Sequence, residues 1–142
     1  MIERLKEEQI DAVMEIWLSA NIQAHDFINK SYWLSNYQKV KEEFLPVSET
    51  YVFVQEGQVR GFISILNGDY IGGLFVAPFC QRQGIGSKLL AYCQRNYPLL
   101  MLGVYAQNKQ AVNFYTKSGF IKLKKQAEED TGCTEYLMSW KK

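Results

Sequence analysis

The residues best suited to chemistry begin with Gln81-Arg82-Gln83-Gly84-Ile85-Gly86-Ser87, which follow the apolar run Leu74-Phe75-Val76. A strand that turns into a helix presents the first helical N–H groups without backbone partners. Together with the macrodipole they form an anion site. Gly84 and Gly86 remove Cβ atoms where a pyrophosphate would approach the backbone, and Arg82 adds a positive charge nearby. The same glycines also suit a tight strand-to-helix turn that binds nothing. The spacing excludes a Walker loop, because no GxxxxGK followed by Ser or Thr is present, and it does not match the GxGxxG dinucleotide pattern.

A second cluster is Asn108-Lys109-Gln110-Ala111-Val112-Asn113-Phe114-Tyr115-Thr116-Lys117-Ser118-Gly119-Phe120. Asn108 reads as a helix N-cap. Tyr115 reads as a core aromatic beside Phe114, and a phenol with pKa near ~10 stays protonated at neutral pH. His25 is the only histidine. Asp26 reads as the cap of the following helix, with His25 hydrogen-bonding locally. Glu128-Glu129-Asp130 reads as a solvated hairpin loop that would also attract a cation.

These residues need elements to hold them. Ile2 to Leu5 suits a short strand. Ile10, Val13, Met14 and Trp17 recur at helical spacing within Glu7 to Ala20. Trp33, Tyr37, Val40 and Phe44 do so more loosely over Tyr32 to Leu45, and a helix there should end before Pro46. The period then changes. Thr50 to Val54, Val59 to Leu66 and Tyr70 to Val76 read as three strands joined by turns at Glu56-Gly57 and Asn67-Gly68. A helix over Gly84 to Asn96, a strand over Leu99 to Tyr105 and a helix over Asn108 to Lys117 follow, the last stopped by Gly119. Phe120 to Lys124 and Thr134 to Trp140 close the chain as strands. The expected order is β-α-α-β-β-β-α-β-α-β-β, an α/β fold with a mixed, mostly antiparallel sheet flanked by helices.

Bulk properties narrow the function. The 142 residues suit one domain, 1–142, with 47% hydrophobic and 22% charged residues. A net charge of +1 disfavours a nucleic-acid footprint. No apolar run reaches membrane-spanning length and no signal-peptide pattern opens the chain. Three scattered cysteines, Cys80, Cys93 and Cys133, with a lone histidine, support neither a disulfide framework nor a metal site. A cytoplasmic location is expected.

The two clusters together resemble the GNAT superfamily of N-acetyltransferases. Gln81, Gly84 and Gly86 meet its Q/R-x-x-G-x-G/A pattern. Asn108, Ala111, Phe114, Tyr115, Gly119 and Phe120 meet its later N…AxxFYxxxGF pattern. Asn21-Ile22-Gln23-Ala24-His25-Asp26-Phe27-Ile28 resembles a segment of small bacterial members that reads xHDF closed by Ile or Leu, one group of which is associated with protein lysine acetylation.

The resemblance implies acetyl-CoA as cosubstrate and an amine acceptor, with no metal. It implies a cleft where Tyr70–Val76 and Leu99–Tyr105 splay apart. Gln81, Arg82, Gln83, Gly84, Ile85, Gly86 and Ser87 would hold the pyrophosphate. The backbone near Phe75 and Val76 would pair with pantetheine, and Asn108 would meet that arm or fix its loop. Tyr115 would protonate the departing thiolate. His25, Phe27, Trp33 and Tyr70 would border the acceptor. The Glu128-Glu129-Asp130 loop would overhang it.

Several members carry a glutamate in an L-E-V segment as general base, where this chain reads Leu102-Gly103-Val104. Deprotonating a lysine about three units above neutral pH costs about 4 kcal/mol. A water relay through Asp69, Tyr70 or His25 is one substitute for the missing base. The alternatives to an enzyme are a non-catalytic acyl-CoA sensor and an interaction protein packing through its aromatic helices.

Overall fold

The computed structural model describes all 142 residues. Strands are β1 (Ile2–Arg4), β2 (Glu49–Gln55), β3 (Gln58–Leu66), β4 (Tyr70–Val76), β5 (Leu99–Tyr105), β6 (Ile121–Ala127) and β7 (Thr134–Lys141). Helices are α1 (Ile10–Ala24), α2 (Lys30–Lys39), α3 (Ile85–Asn96) and α4 (Lys109–Lys117). The strands form one seven-stranded sheet in the order β1-β2-β3-β4-β5-β7-β6. Every neighbouring pair is antiparallel except β4–β5, which is parallel.

The two hairpin turns form where expected. Glu56 and Gly57, then Asn67 and Gly68, all take positive φ, the tight-hairpin conformation that glycine and asparagine tolerate. In β3 the run Gly61 to Ile65 is buried without alternation, so both faces of the sheet centre are covered. The core joins Val13, Met14 and Ile16 of α1 to Leu89, Leu90 and Cys93 of α3 through Ile63, Ile65, Leu100 and Leu102 of the sheet. β6 is an exposed edge strand whose Lys122, Lys124 and Lys125 discourage further strand pairing.

Several boundaries differ from expectation. The second helix does not stop before Pro46. It widens into a π turn over Val40–Phe44 and ends in a 3-10 turn over Leu45–Val47 that contains the proline. Proline is tolerated there because it occupies the start of the new turn, where its missing N–H is not needed. The cap of α2 is Asn29, whose side chain accepts from Ser31 N–H at 2.9 Å, and not Asp26. The sequence has a cap-forming residue at both positions, and the chain path after α1 selects the later one.

Candidate active site

β4 and β5 are adjacent but barely paired. Tyr70 lies opposite Met101, and Met101 N–H donates to Asp69 O at 2.8 Å. β4 carries a bulge: Ser64 pairs with Gly73 and Ile65 with Ile71, so Gly72 has no partner on β3. A bulge bends its strand and adds twist, which turns β4 away from β5. The opening is a cleft of about 250 Å³ lined from β4, β5, α1, α2 and α4.

The glycine loop follows the end of β4 and leads into α3. Gly84 is the left-handed N-cap of α3, with φ of 80° and no side chain to cap it. Lys88 N–H closes the first helical bond onto Gly84 O at 3.0 Å. The N–H groups of Ile85, Gly86 and Ser87 precede it at the open helix start. Gln81 turns back on the strand, donating from Nε2 to Val76 O at 3.3 Å. Arg82 is exposed with a φ of 68°. A Cβ on Gly86 would meet Val76 and Phe114 at ordinary contact distances of 3.7 and 3.8 Å. Gly84 is therefore required by backbone conformation, while Gly86 leaves space above the helix start.

Tyr115 lines the cleft and is 8% exposed. Its ring packs edge-on against Phe114 and Phe120. Burial alone pushes its phenol well above the ordinary range, with no neighbouring charge or hydrogen bond to offset it. The group is therefore protonated throughout the neutral range.

A chain of hydrogen bonds crosses the cleft floor. Asn21 Nδ2 donates to Trp17 O at 2.8 Å, which turns Asn21 Oδ1 towards His25 Nδ1 at 3.1 Å. Ala111 N–H donates to Asn108 Oδ1 at 3.2 Å, so Asn108 Nδ2 faces His25 Nε2 at 3.1 Å. The two amides fix the tautomer: Nδ1 carries the proton and Nε2 accepts. Asn108 is thus both the cap of α4 and a donor to the histidine. Burial lowers the His25 pKa to about 4, outweighing the support from Asn21. The ring stacks on Trp33 at 5.4 Å and meets Phe27 and Tyr105 edge-on.

Part of the cleft wall is acidic and aromatic. Trp33, Tyr105, Glu128 and Glu135 line it together with Gly103. Glu128 also closes its own loop, accepting from Thr131 N–H at 2.9 Å and from Thr131 Oγ1 at 3.0 Å. Asp130 accepts from the Tyr32 hydroxyl at 3.2 Å, tying this loop to α2. Glu129 and Asp130 are exposed.

The acetyltransferase (GNAT) domain family matches residues 5–142. The chain belongs to the GNAT acetyltransferase family. It is 34% identical over 140 residues to peptidyl-lysine N-acetyltransferase YiaC of Escherichia coli K12, covering 99% of this chain and 96% of that protein. The solution structure of apo YjaB from Escherichia coli superposes with a TM-score of 0.85 at 28% identity, covering 99% and 96% of the two chains. The same fold recurs in PaiA N-acetyltransferase from Thermoplasma acidophilum, solved with coenzyme A, at a TM-score of 0.81 and 20% identity over 100% and 98% of the chains.

As a GNAT enzyme it transfers an acetyl group from acetyl-CoA to an amine. Tyr115 lines the cleft that opens along the β5 side of β4, and the uncapped start of α3 follows the end of β4.

The sequence-predicted residues divide in the structure. Phe75, Asn108, Tyr115, His25 and Trp33 line the cleft. Phe27 instead packs edge-on against His25 and Tyr105, and the cleft wall forms without it. Tyr70 stands beside Gly103, its hydroxyl 3.1 Å from where a Gly103 Cβ would lie. Sequence reasoning missed Asn21, Tyr105 and Glu135. Glu135 lies opposite Tyr105, two residues along β5 from Gly103, and only the β5–β7 register places it there.

Proposed function

We propose that this acetyltransferase modifies lysine side chains of proteins, with Tyr115 as the general acid. The observation that carries the reading is the cleft itself, lined by a neutral buried phenol and by acidic and aromatic side chains, with an open helix start following β4.

The pyrophosphate of acetyl-CoA is assigned to the N–H groups of Gln83, Gly84, Ile85, Gly86 and Ser87, with Gln81 and Arg82 beside it. The pantetheine arm is assigned to the β4 backbone at Phe75 and Val76 and to the Asn108 region. The unpaired backbone of β4 and the uncapped α3 start support both assignments.

At the mouth, Glu128 and Glu135 attract an ammonium, while Trp33 lines the wall and Tyr70 stands near Glu135 beside a lysine's aliphatic stem. The amine nitrogen attacks the thioester carbonyl. A C–N bond forms, the C–S bond breaks, and the Tyr115 hydroxyl protonates the departing thiolate. His25 is a positioning residue in this reading, because both ring nitrogens are already engaged by Asn21 and Asn108. The cytoplasm is the proposed location, in keeping with three unpaired cysteines.

The lysine assignment also draws support from the name of its YiaC relative. Mass spectrometry of a peptide panel tests it, with acetyl-CoA and peptides offering a lysine, a free α-amine, or both. The expected product is ε-acetyl-lysine. Turnover confined to α-amines or to small polyamines refutes the lysine acceptor.

A further inference from the structure

Attack on the thioester needs an amine that has shed its proton, and Gly103 has no side chain to receive it. The structure shows what fills that position. Tyr105 of β5 pairs with Glu135 of β7, and Gly103 pairs with Leu137, in antiparallel register. Side chains alternate along a strand, so residues 103 and 105 share a face with Glu135. A Cβ built on Gly103 would lie 2.9 Å from Glu135 Oε2, 3.3 Å from Glu135 Cδ and 3.1 Å from the Tyr70 hydroxyl. The carboxylate of a β7 residue therefore occupies the room above Gly103 and reaches the cleft wall.

We infer that Glu135 is the general base of this enzyme, its carboxylate standing across β5 in the space that Gly103 leaves open. The inference rests on the acetyl-transfer reading but not on which amine is the acceptor.

The carboxylate is held in place. Gln126 of β6 donates from Nε2 to Glu135 Oε1 at 2.8 Å, which leaves Oε2 directed at Gly103 and Tyr70. The groups around it are Tyr70 from β4, Tyr105 from β5 and Glu128 from the β6–β7 loop. Burial raises both phenols, Tyr105 to about 12, so neither accepts a proton near neutrality. Nε2 of His25 is occupied by Asn108. Glu135 is the carboxylate of the cleft wall that is not committed to holding its own loop, as Glu128 is.

The step balances. The acceptor ammonium gives one proton to the Glu135 carboxylate, directly or through one water. The freed nitrogen lone pair forms the C–N bond as the C–S bond breaks. Tyr115 protonates the thiolate and is reprotonated with the second proton leaving the nitrogen. Glu135 returns its proton to solvent. The sum is acetyl-CoA plus an ammonium giving an amide, free CoA and one proton.

The test uses the full chain with Glu135→Gln, which keeps the shape and a partner for Gln126. A lysine peptide is compared with the same peptide carrying a lysine analogue whose amine pKa is lowered by a sulfur in the chain. For the lysine peptide, kcat should fall by about 10²-fold or more, within the range for a general base, while acetyl-CoA affinity stays unchanged. For the low-pKa amine the deficit should shrink by up to roughly tenfold, because less help is needed to remove its proton. A merely structural role would lower both acceptors equally.

A second variant pair, Glu135→Gly alone and combined with Gly103→Glu, moves the carboxylate from β7 to β5, and kcat should recover in the combination. The inference is overturned by any of four results: a kcat for Glu135→Gln within about threefold of wild type, a loss confined to acceptor KM, an equal loss for both acceptors, or no recovery in the swap. If wild-type protein ignores lysine but acetylates an α-amine, the lysine reading fails. The Glu135→Gln comparison then proceeds on α-amines of differing pKa.

Discussion

The lone histidine makes one consequence of the cleft measurable at a single residue. His25 is 7% exposed and its pKa is lowered from 6.5 to about 4. A proton on Nε2 would face the Asn108 amide, which is already turned donor-side towards the ring by its cap on Ala111 N–H.

The folded pKa lies below the unfolded one, so the unfolded chain binds the proton first as pH falls. Above about pH 6.5 His25 contributes nothing to pH dependence. Stability is then lost progressively as pH drops, by about 2 kcal/mol at pH 5 and about 3 kcal/mol at pH 4. The lowered pKa of Glu3 acts in the same direction, so wild type must be compared with a variant. Urea unfolding of wild type and His25→Gln between pH 4 and 8 isolates the histidine. The wild-type advantage measured at pH 7.5 should shrink by about 3 kcal/mol at pH 4. Imidazole ¹⁵N shifts give the second readout, a neutral Nδ1–H tautomer that persists below pH 5. An imidazole that titrates near 6.5, or that carries its proton on Nε2, refutes the hydrogen-bond chain.

Two further outcomes follow from the site. Tyr115→Phe should lower kcat by roughly 10²-fold or more with little change in acetyl-CoA affinity, since only a hydroxyl is lost from a ring already packed by Phe114 and Phe120. Turnover within about twofold of wild type would make the residue packing alone. Gly86→Glu should weaken acetyl-CoA binding by at least tenfold in calorimetry while Gly86→Ala stays closer to wild type, because space for a small side chain exists but a carboxylate would repel the pyrophosphate.

The part of this protein legible in its sequence is the part governed by local chemistry. β-branched and aromatic runs between turn residues placed the β2–β3–β4 meander, and Asn67-Gly68 did take the positive φ values its composition demands. The glycine loop lies at the start of a helix because Gly84 can adopt a left-handed N-cap. Asn108 caps α4 as its position suggests. The pairing of the two motifs was readable as a family resemblance, and the family match bears it out.

What the tertiary structure decided are relations between residues distant in the chain. The partnership of His25 with Asn108 spans 83 positions, and no local pattern distinguishes an engaged imidazole from a free one. Asn29 rather than Asp26 caps α2, because the path out of α1 sets which side chain meets an open N–H. Gly103 read alone is the loss of a carboxylate. Only the register that brings Glu135 within 2.9 Å of its missing Cβ shows that the same space is filled from the neighbouring strand. Sequence records the side chains that each strand can offer. The pairing order β5-β7-β6, which does not follow the order of the chain, determines which of them meet.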